Sequence, residues 1–315
     1  RYRRALLAAL WAGAAMSLVQ SLLPALPWLL ASRALEGLSH LAIVVAAPML
    51  IAHICADRHR GFALTLWGTF FGVAFALLAW LGVPLVDRAG VPALLVAHAV
   101  YMAAFALFLG ARLRALEVES PPPVSLGQIL RDHKAIYMSP RISAPALGWL
   151  FYTFCFVSIL TVLPPFLEAG TRAAVMGAIP LVSIAASMTV GVSMLRVMSA
   201  VSVLVVGFVG SALAMVWLWY APGDPLACLT LAATMGLIQG ASFAAVPQLN
   251  TAPPHQAQAN GAMAQMGNLG NTLGTPVMAA AVATFGYAGL PLFATVAFIC
   301  GALVHLGLAQ RRKAH

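Results

Sequence analysis

Ten apolar stretches, each long enough to cross a bilayer, run unevenly along this chain: four, then a polar segment of about thirty residues from Arg112 to Arg141, then six. An α-helix rises about 1.5 Å per residue, so roughly 20 apolar residues cover a hydrocarbon layer ~30 Å thick. Lipid offers backbone N–H and C=O groups no partner, and these runs are too long and too uniformly apolar for barrel strands, so each span must be a helix. The prediction is an all-α integral membrane protein with spans near 5–23, 28–56, 61–85 and 91–110, then 145–166, 173–194, 201–220, 225–247, 259–285 and 290–309. Breakers fall between them at Pro24 and Pro27, Gly90, Pro164-Pro165, Pro222-Gly223, Pro253-Pro254 and Gly286.

Apolar residues make up 62% of the chain and charged ones 8%, against roughly 25% charged in a soluble domain. A net charge of +9 in a soluble protein would point to nucleic acid, but here the bases lie in short segments between spans, where they report orientation. No nucleic-acid partner is expected; the lipid bilayer is. The four cysteines, Cys55, Cys155, Cys228 and Cys300, stand singly, so neither a disulfide framework nor a thiolate metal site is indicated. The charged start runs straight into a full-length span, unlike a cleavable signal peptide.

Placing the first residue in the cytoplasm puts fourteen of the seventeen Lys and Arg on that side and leaves only Arg33, Arg88 and Arg172 opposite. Both ends of the chain are therefore expected in the cytoplasm, in a multi-pass protein of the cell inner membrane. Three regions follow: a four-span bundle over 1–112, a cytoplasmic linker over 113–144 and a six-helix bundle over 145–315. The linker's Pro121-Pro122-Pro123 precedes a predicted short surface helix near 126–132.

The phosphate loop, zinc helix and nucleophile elbow of soluble enzymes are absent. No enzymatic activity, cofactor or metal is expected; of the eight histidines His53 and His59 cluster with Asp57, and they lie at a cytoplasmic span end. Polar residues inside the spans say more. Arg33, Glu36, Gly37 and His40 share about 100° of arc on the second span. Ionisable groups at this depth are costly unless paired or facing water, so they form either a surface ion pair or one wall of a polar pathway. In the ninth span Gln265, Asn268, Asn271, Thr272 and Thr275 fall within about 120°, while Gly267, Gly270 and Gly274 gather on another side as a packing seam. The amides and hydroxyls are either interhelical glue or a cavity lining, and Pro276 predicts a kink. Trp149, Tyr152, Thr153 and Phe156 form an aromatic stripe on the fifth span, serving packing or ligand contact, with Gln239, Ser183 and Ser187 as further polar candidates.

At these residues the chain resembles the major facilitator superfamily of secondary transporters over its whole length. That family has twelve spans in two six-helix halves joined by a cytoplasmic loop, so four, loop, six looks like a member lacking its first two spans. Arg1-Tyr2-Arg3-Arg4 would be the tail of the family's D-R-x-G-R-R loop, with Arg3 at the Gly position, and Gly191 to Arg196 a faint second copy with Leu195 for the Asp. Arg33-Ala34-Leu35-Glu36-Gly37-Leu38-Ser39-His40-Leu41-Ala42 matches the family's fourth-span pattern R-x-x-x-G-x-x-x-A, and Arg60-Gly61 opening the next span also fits. The antiporter signature G-x-x-x-G-P-x-x-G-G is reduced to Gly68 to Val73 there, but Gly270-Asn271-Thr272-Leu273-Gly274-Thr275-Pro276 in the other half comes close to it.

The resemblance implies a monomeric permease that moves a small organic solute by alternating access, with protons as the coupling ion, Arg33 in the proton or substrate pathway and Gly37 a helix-packing glycine. A ten-span drug/metabolite-type exporter built as five plus five, and a non-transporting membrane scaffold, are the rival readings. The position of the loop and the matches at Arg33 and Arg60-Gly61 weigh against the exporter.

Overall fold

The computed structural model describes residues 2–56, 58–59, 63, 66–67, 70–113 and 125–314, and every regular element among them is helical. Asp57, Arg60, Gly61, Gly68, Thr69 and the 114–124 part of the linker lie outside the described residues. The chain divides into two compact units, Arg1–Pro123 and Val124–His315.

The first unit holds α1 (Tyr2–Ser21), α2 (Leu26–Ile54), α3 (Phe70–Leu77) and α4 (Val83–Arg112), with a π turn at Leu78–Gly82 carrying α3 into α4. Pro27 stands in the first turn of α2, where its fixed φ suits the helix and its missing N–H leaves nothing unpaired. Gly90 interrupts α4 at φ 80° and ψ 169°, backbone that side chains other than glycine rarely adopt, so α4 is two helices meeting at a kink.

In the second unit α5 (Leu126–Met138) precedes α6 (Ser143–Val162) and α7 (Arg172–Ala186), which continues through a π turn at Ser187–Gly191 to Leu195. Then come α8 (Ala200–Tyr220), α9 (Pro225–Leu249), α10 (Pro253–Phe285) and α11 (Gly289–Lys313). Ser125, Ser199 and Asp224 cap α5, α8 and α9 by accepting from Gln128, Ser202 and Ala227 N–H. α5 runs six residues beyond the expected 126–132. Pro253 and Pro254, read as a turn, open α10, and α10 runs unbroken through Pro276.

Seven stretches among the described residues are long and apolar enough to cross a membrane, fewer than the ten read from sequence. Two of them, Gly72–Arg112 and Pro253–Lys313, are 41 and 61 residues long, roughly twice and three times one crossing. Each contains a glycine break, Gly90 at φ 80° and Gly286 at φ 62°, where the sequence reading ended one span and began the next. α1, with Arg3 and Arg4 in its first turn, is outside the seven.

The units are built differently inside. α1 packs between α2 and α4 through Leu6, Leu10, Ala46, Ala47, Leu50 and Ala106. In the second unit α6 and α10 make the most extensive pairing, α8 packs on α9 and α11, and Phe208, Phe298, Ile159, Leu163 and Met235 are wholly buried.

Candidate functional site

Arg33 Nη1 donates to Glu36 Oε2 at 2.5 Å, one turn along α2, and Gln20 Nε2 of α1 donates to the same oxygen at 3.0 Å. The carboxylate therefore joins two helices. Gln20 is fully buried, and so is Ser17 one turn before it, whose Oγ is hydrogen-bonded to His98 Nδ1 of α4 at 2.7 Å. Ser39 Oγ donates to the Ala9 carbonyl at 2.6 Å. These bonds tie α1, α2 and α4 of the first unit together through polar atoms, and in a low-dielectric interior such bonds are stronger than at a wet surface. The Arg33 side chain is 57% exposed and the Glu36 side chain 20%, and His40 is exposed.

Gly37 corrects an expectation. A Cβ there would meet nothing within 4 Å, so it is not a packing glycine in this structure. The close approach on α2 belongs instead to Ser39, 3.0 Å from where a Cβ on Gly13 of α1 would stand. One helical pattern puts Gly37 on the face of Arg33 and His40, and that whole face is open.

In the second unit the glycines of α10 lie against α6. A Cβ on Gly270 would run into Thr153 Oγ1 and stand 2.5 Å from the Leu150 carbonyl; one on Gly274 would strike the Phe154 carbonyl; one on Gly267 would stand 2.8 Å from Trp149 Nε1. α6 and α10 thus touch backbone to backbone, as small residues permit where lipid supplies no hydrophobic drive. Trp149 stacks on Tyr152 at 4.6 Å and meets Phe243 of α9 edge-on at 5.1 Å, so one indole brings α6, α9 and α10 together. Tyr152 stacks on Phe156 in turn, at 5.4 Å, but both are buried, 3% and 5% exposed. Of the aromatic stripe, Trp149 alone keeps a half-exposed surface.

The polar stripe of α10 divides into parts. Gln265 is taken up by the linker helix: Tyr137 Oη donates to its Oε1 at 3.0 Å, and its Nε2 lies 2.8 Å from His133 Nε2. Burial in this contact pushes the Tyr137 phenol above its ordinary value. Gln265 therefore docks α5 rather than standing free. Thr272 Oγ1 turns back on the Asn268 carbonyl at 2.7 Å. Asn268 is exposed, Thr275 and Gln239 are half-exposed, and Asn271 is half-exposed with its Oδ1 buried and without a hydrogen-bond partner. An amide oxygen left unpaired in an apolar bundle costs about 1–3 kcal/mol, a cost that a bound polar group relieves.

Ser183 and Ser187 are packing residues: a Cβ on Gly236 of α9 would strike the Ser183 carbonyl, and one on Gly240 would strike Ser187 Oγ. The Gly236-x-x-x-Gly240 spacing carried the signal for this seam, as Ser17-x-x-Gln20 did for the buried pair on α1. His305 of α11 was readable as a lone imidazole inside an apolar span. It is fully buried, neither ring nitrogen has a hydrogen-bond partner among the described residues, and it fits because Gly148 opposite it has no side chain.

Two units of membrane-length helices, each with a polar face set in apolar surroundings, define a multi-pass membrane protein. A model of the Major Facilitator Superfamily matches residues 1–246. The chain belongs to the major facilitator superfamily, a family of secondary transporters, and the five-plus-five alternative gives way to it.

Solved structures agree on the fold. A Major Facilitator Superfamily transporter, FucP, in its outward conformation superposes with a TM-score of 0.69 at 13% identity, over 98% of this chain and 83% of that one. A bacterial homologue of the human lysosomal transporter Spinster, inward-facing and unoccupied, does so with a TM-score of 0.69 at 14% identity, over 98% and 83%. The human organic anion transporter MFSD10 gives 0.65 at 15% identity, over 96% and 77%. No curated protein matches the sequence.

Proposed function

We propose that the protein is a permease for a small organic solute, working by alternating access with protons as the coupled ion. The observation that carries this reading is the pair of open polar faces: Arg33, Glu36 and His40 on α2, and Asn268, Asn271, Thr275 and Gln239 beside Trp149 on α10 and α9. A helix exposed only to lipid would not carry open amides and an exposed guanidinium, since such groups are expensive in hydrocarbon. In transporters of this design two bundles rock about a site near the midplane, opening it first to one side and then to the other. In the second unit Trp149 supplies a flat apolar surface and the amides supply hydrogen bonds; in the first, Arg33 supplies a cation suited to a carboxylate or phosphate. Glu36, already shared between Arg33 and Gln20, is the group whose protonation would release Arg33. The monomer acts alone in the inner membrane, with 1, 113–144 and 315 on the cytoplasmic side.

The test is solute-driven proton uptake in proteoliposomes, read with an internal pH dye across a panel of organic acids, amines and sugars. A response to one class that vanishes in Arg33→Ala, with the variant folded, supports the reading; uptake unchanged in that variant refutes the role of Arg33. Cysteine labelling at Ser120, Asp224 and Lys313 tests the topology, and Asp224 on the same side as Ser120 would overturn the span count.

A further inference from the structure

A groove of about 620 Å3 runs along the second unit between the start of α8, the end of α9 and the last turns of α11. Its wall is apolar, with Val201 and Val205 on one side and Leu306 on the other. Its rim is cationic, carrying Arg312 and Lys313, and no carboxylate lines it.

The rim groups have spare capacity. Arg312 uses one N–H on the Pro140 carbonyl at 2.8 Å and stands close enough to Arg141 to be repelled by it. Among the described residues the ion pair is Arg33 with Glu36, so neither rim cation is neutralised by a described side chain. Ser199 and Ser202 face each other at 2.8 Å, and Gln248 accepts from Ala200 N–H at 2.7 Å, leaving its amide N–H groups for another acceptor. Two uncompensated cations above an apolar wall call for an occupant that is anionic at one end and hydrocarbon at the other.

We propose that this groove binds an anionic glycerophospholipid, its phosphate between Arg312, Lys313 and the Ser199–Ser202 hydroxyls and an acyl chain along Val201, Val205 and Leu306. A free phosphate would leave the wall uncovered, and a neutral lipid would leave the cations unpaired. The wall belongs to membrane-length helices, and Val206 at 43% and Leu306 at 45% exposed leave it open to an apolar occupant. Basic pockets between membrane helices suit anionic head groups, at about fivefold in affinity per cation.

Native mass spectrometry of the full chain, purified in a neutral detergent, tests this with phosphatidylglycerol, phosphatidylcholine and inorganic phosphate as probes. One phosphatidylglycerol should be retained per chain in preference to phosphatidylcholine, and Lys313→Gln should weaken it about fivefold. Val205→Trp, which fills the wall and leaves both cations in place, should weaken it at least as much, whereas Lys134→Gln on α5 should not. Arg312 also holds Pro140, so the two variants that spare it carry the test. Equal retention of the two lipids, unchanged phosphatidylglycerol affinity in Lys313→Gln or Val205→Trp, or inorganic phosphate binding as tightly as the lipid, would each overturn the proposal.

Discussion

The two units solve the same problem, holding helices together where lipid is as apolar as they are, by different means. In the second unit the apolar 18-residue stretches within Ser143–Val162, Ala200–Tyr220 and Pro225–Leu249 are 56% buried each, and the joints are glycines set against backbone carbonyls. In the first unit the corresponding stretches within Leu26–Pro48 and Gly72–Arg112 are only 18% and 11% buried, and the joints are hydrogen bonds: Gln20 to Glu36, Ser17 to His98, Ser39 to Ala9 and Arg3 to Gly110. Glycine seams depend on shape and tolerate no added atom. Polar joints depend on particular atoms, and the same atoms are free to serve chemistry.

Adding volume to a glycine seam should have the largest effect. Gly270→Leu puts a side chain where Thr153 Oγ1 and the Leu150 carbonyl already are; backbone cannot rotate away, so the cost should exceed the roughly 1–3 kcal/mol of ordinary overpacking. Loss of the monodisperse peak in fluorescence-detected size exclusion is the expected result, and a well-folded variant would show that α6 and α10 are not held by this seam.

Glu36→Ala removes the acceptor of both Arg33 and Gln20 and leaves the buried Gln20 amide without it, so a loss of about 1–3 kcal/mol is expected in a thermal melt. Arg33→Ala sharpens the contrast. Its side chain is more than half exposed, so its pairing contributes at most ~1 kcal/mol after solvent screening. The melt should hardly move while transport is lost; a large drop in melting temperature would make Arg33 a structural anchor.

Asn268→Ala and Asn271→Ala leave the seam untouched and should not destabilise the protein: the first should change stability by less than about 0.5 kcal/mol, and the second removes an unpaired buried oxygen and should stabilise by up to about 1–3 kcal/mol. Their effect should appear in solute affinity. If both proved as unstable as Gly270→Leu, the polar stripe would be holding helices together after all. Gln265→Ala loses two hydrogen bonds to α5, each worth roughly 0.5–1.5 kcal/mol at most, and its effect should be the most local. Faster amide exchange confined to Leu126–Met138 is the reading expected.

Features set by local covalent structure and by lipid could be read from the residues alone. Helical spans were legible because hydrocarbon forces every backbone group to pair within its own segment. The breaks at Gly90 and Gly286 were legible because only glycine takes positive φ without strain, and the Gly267, Gly270 and Gly274 face was legible because 3.6 residues per turn is a fixed period. Tertiary structure decided which neighbour each face meets, and no helical wheel contains that. It gave Gln265 to His133 and Tyr137 across more than a hundred residues of chain, closed Tyr152 into the core, left Gly37 facing open space and moved Ser183 and Ser187 from a candidate lining to a seam under Gly236 and Gly240. Periodicity assigns a residue to a side of its helix, but whether that side faces a carbonyl, a ring or an opening is set by atoms contributed from elsewhere in the chain.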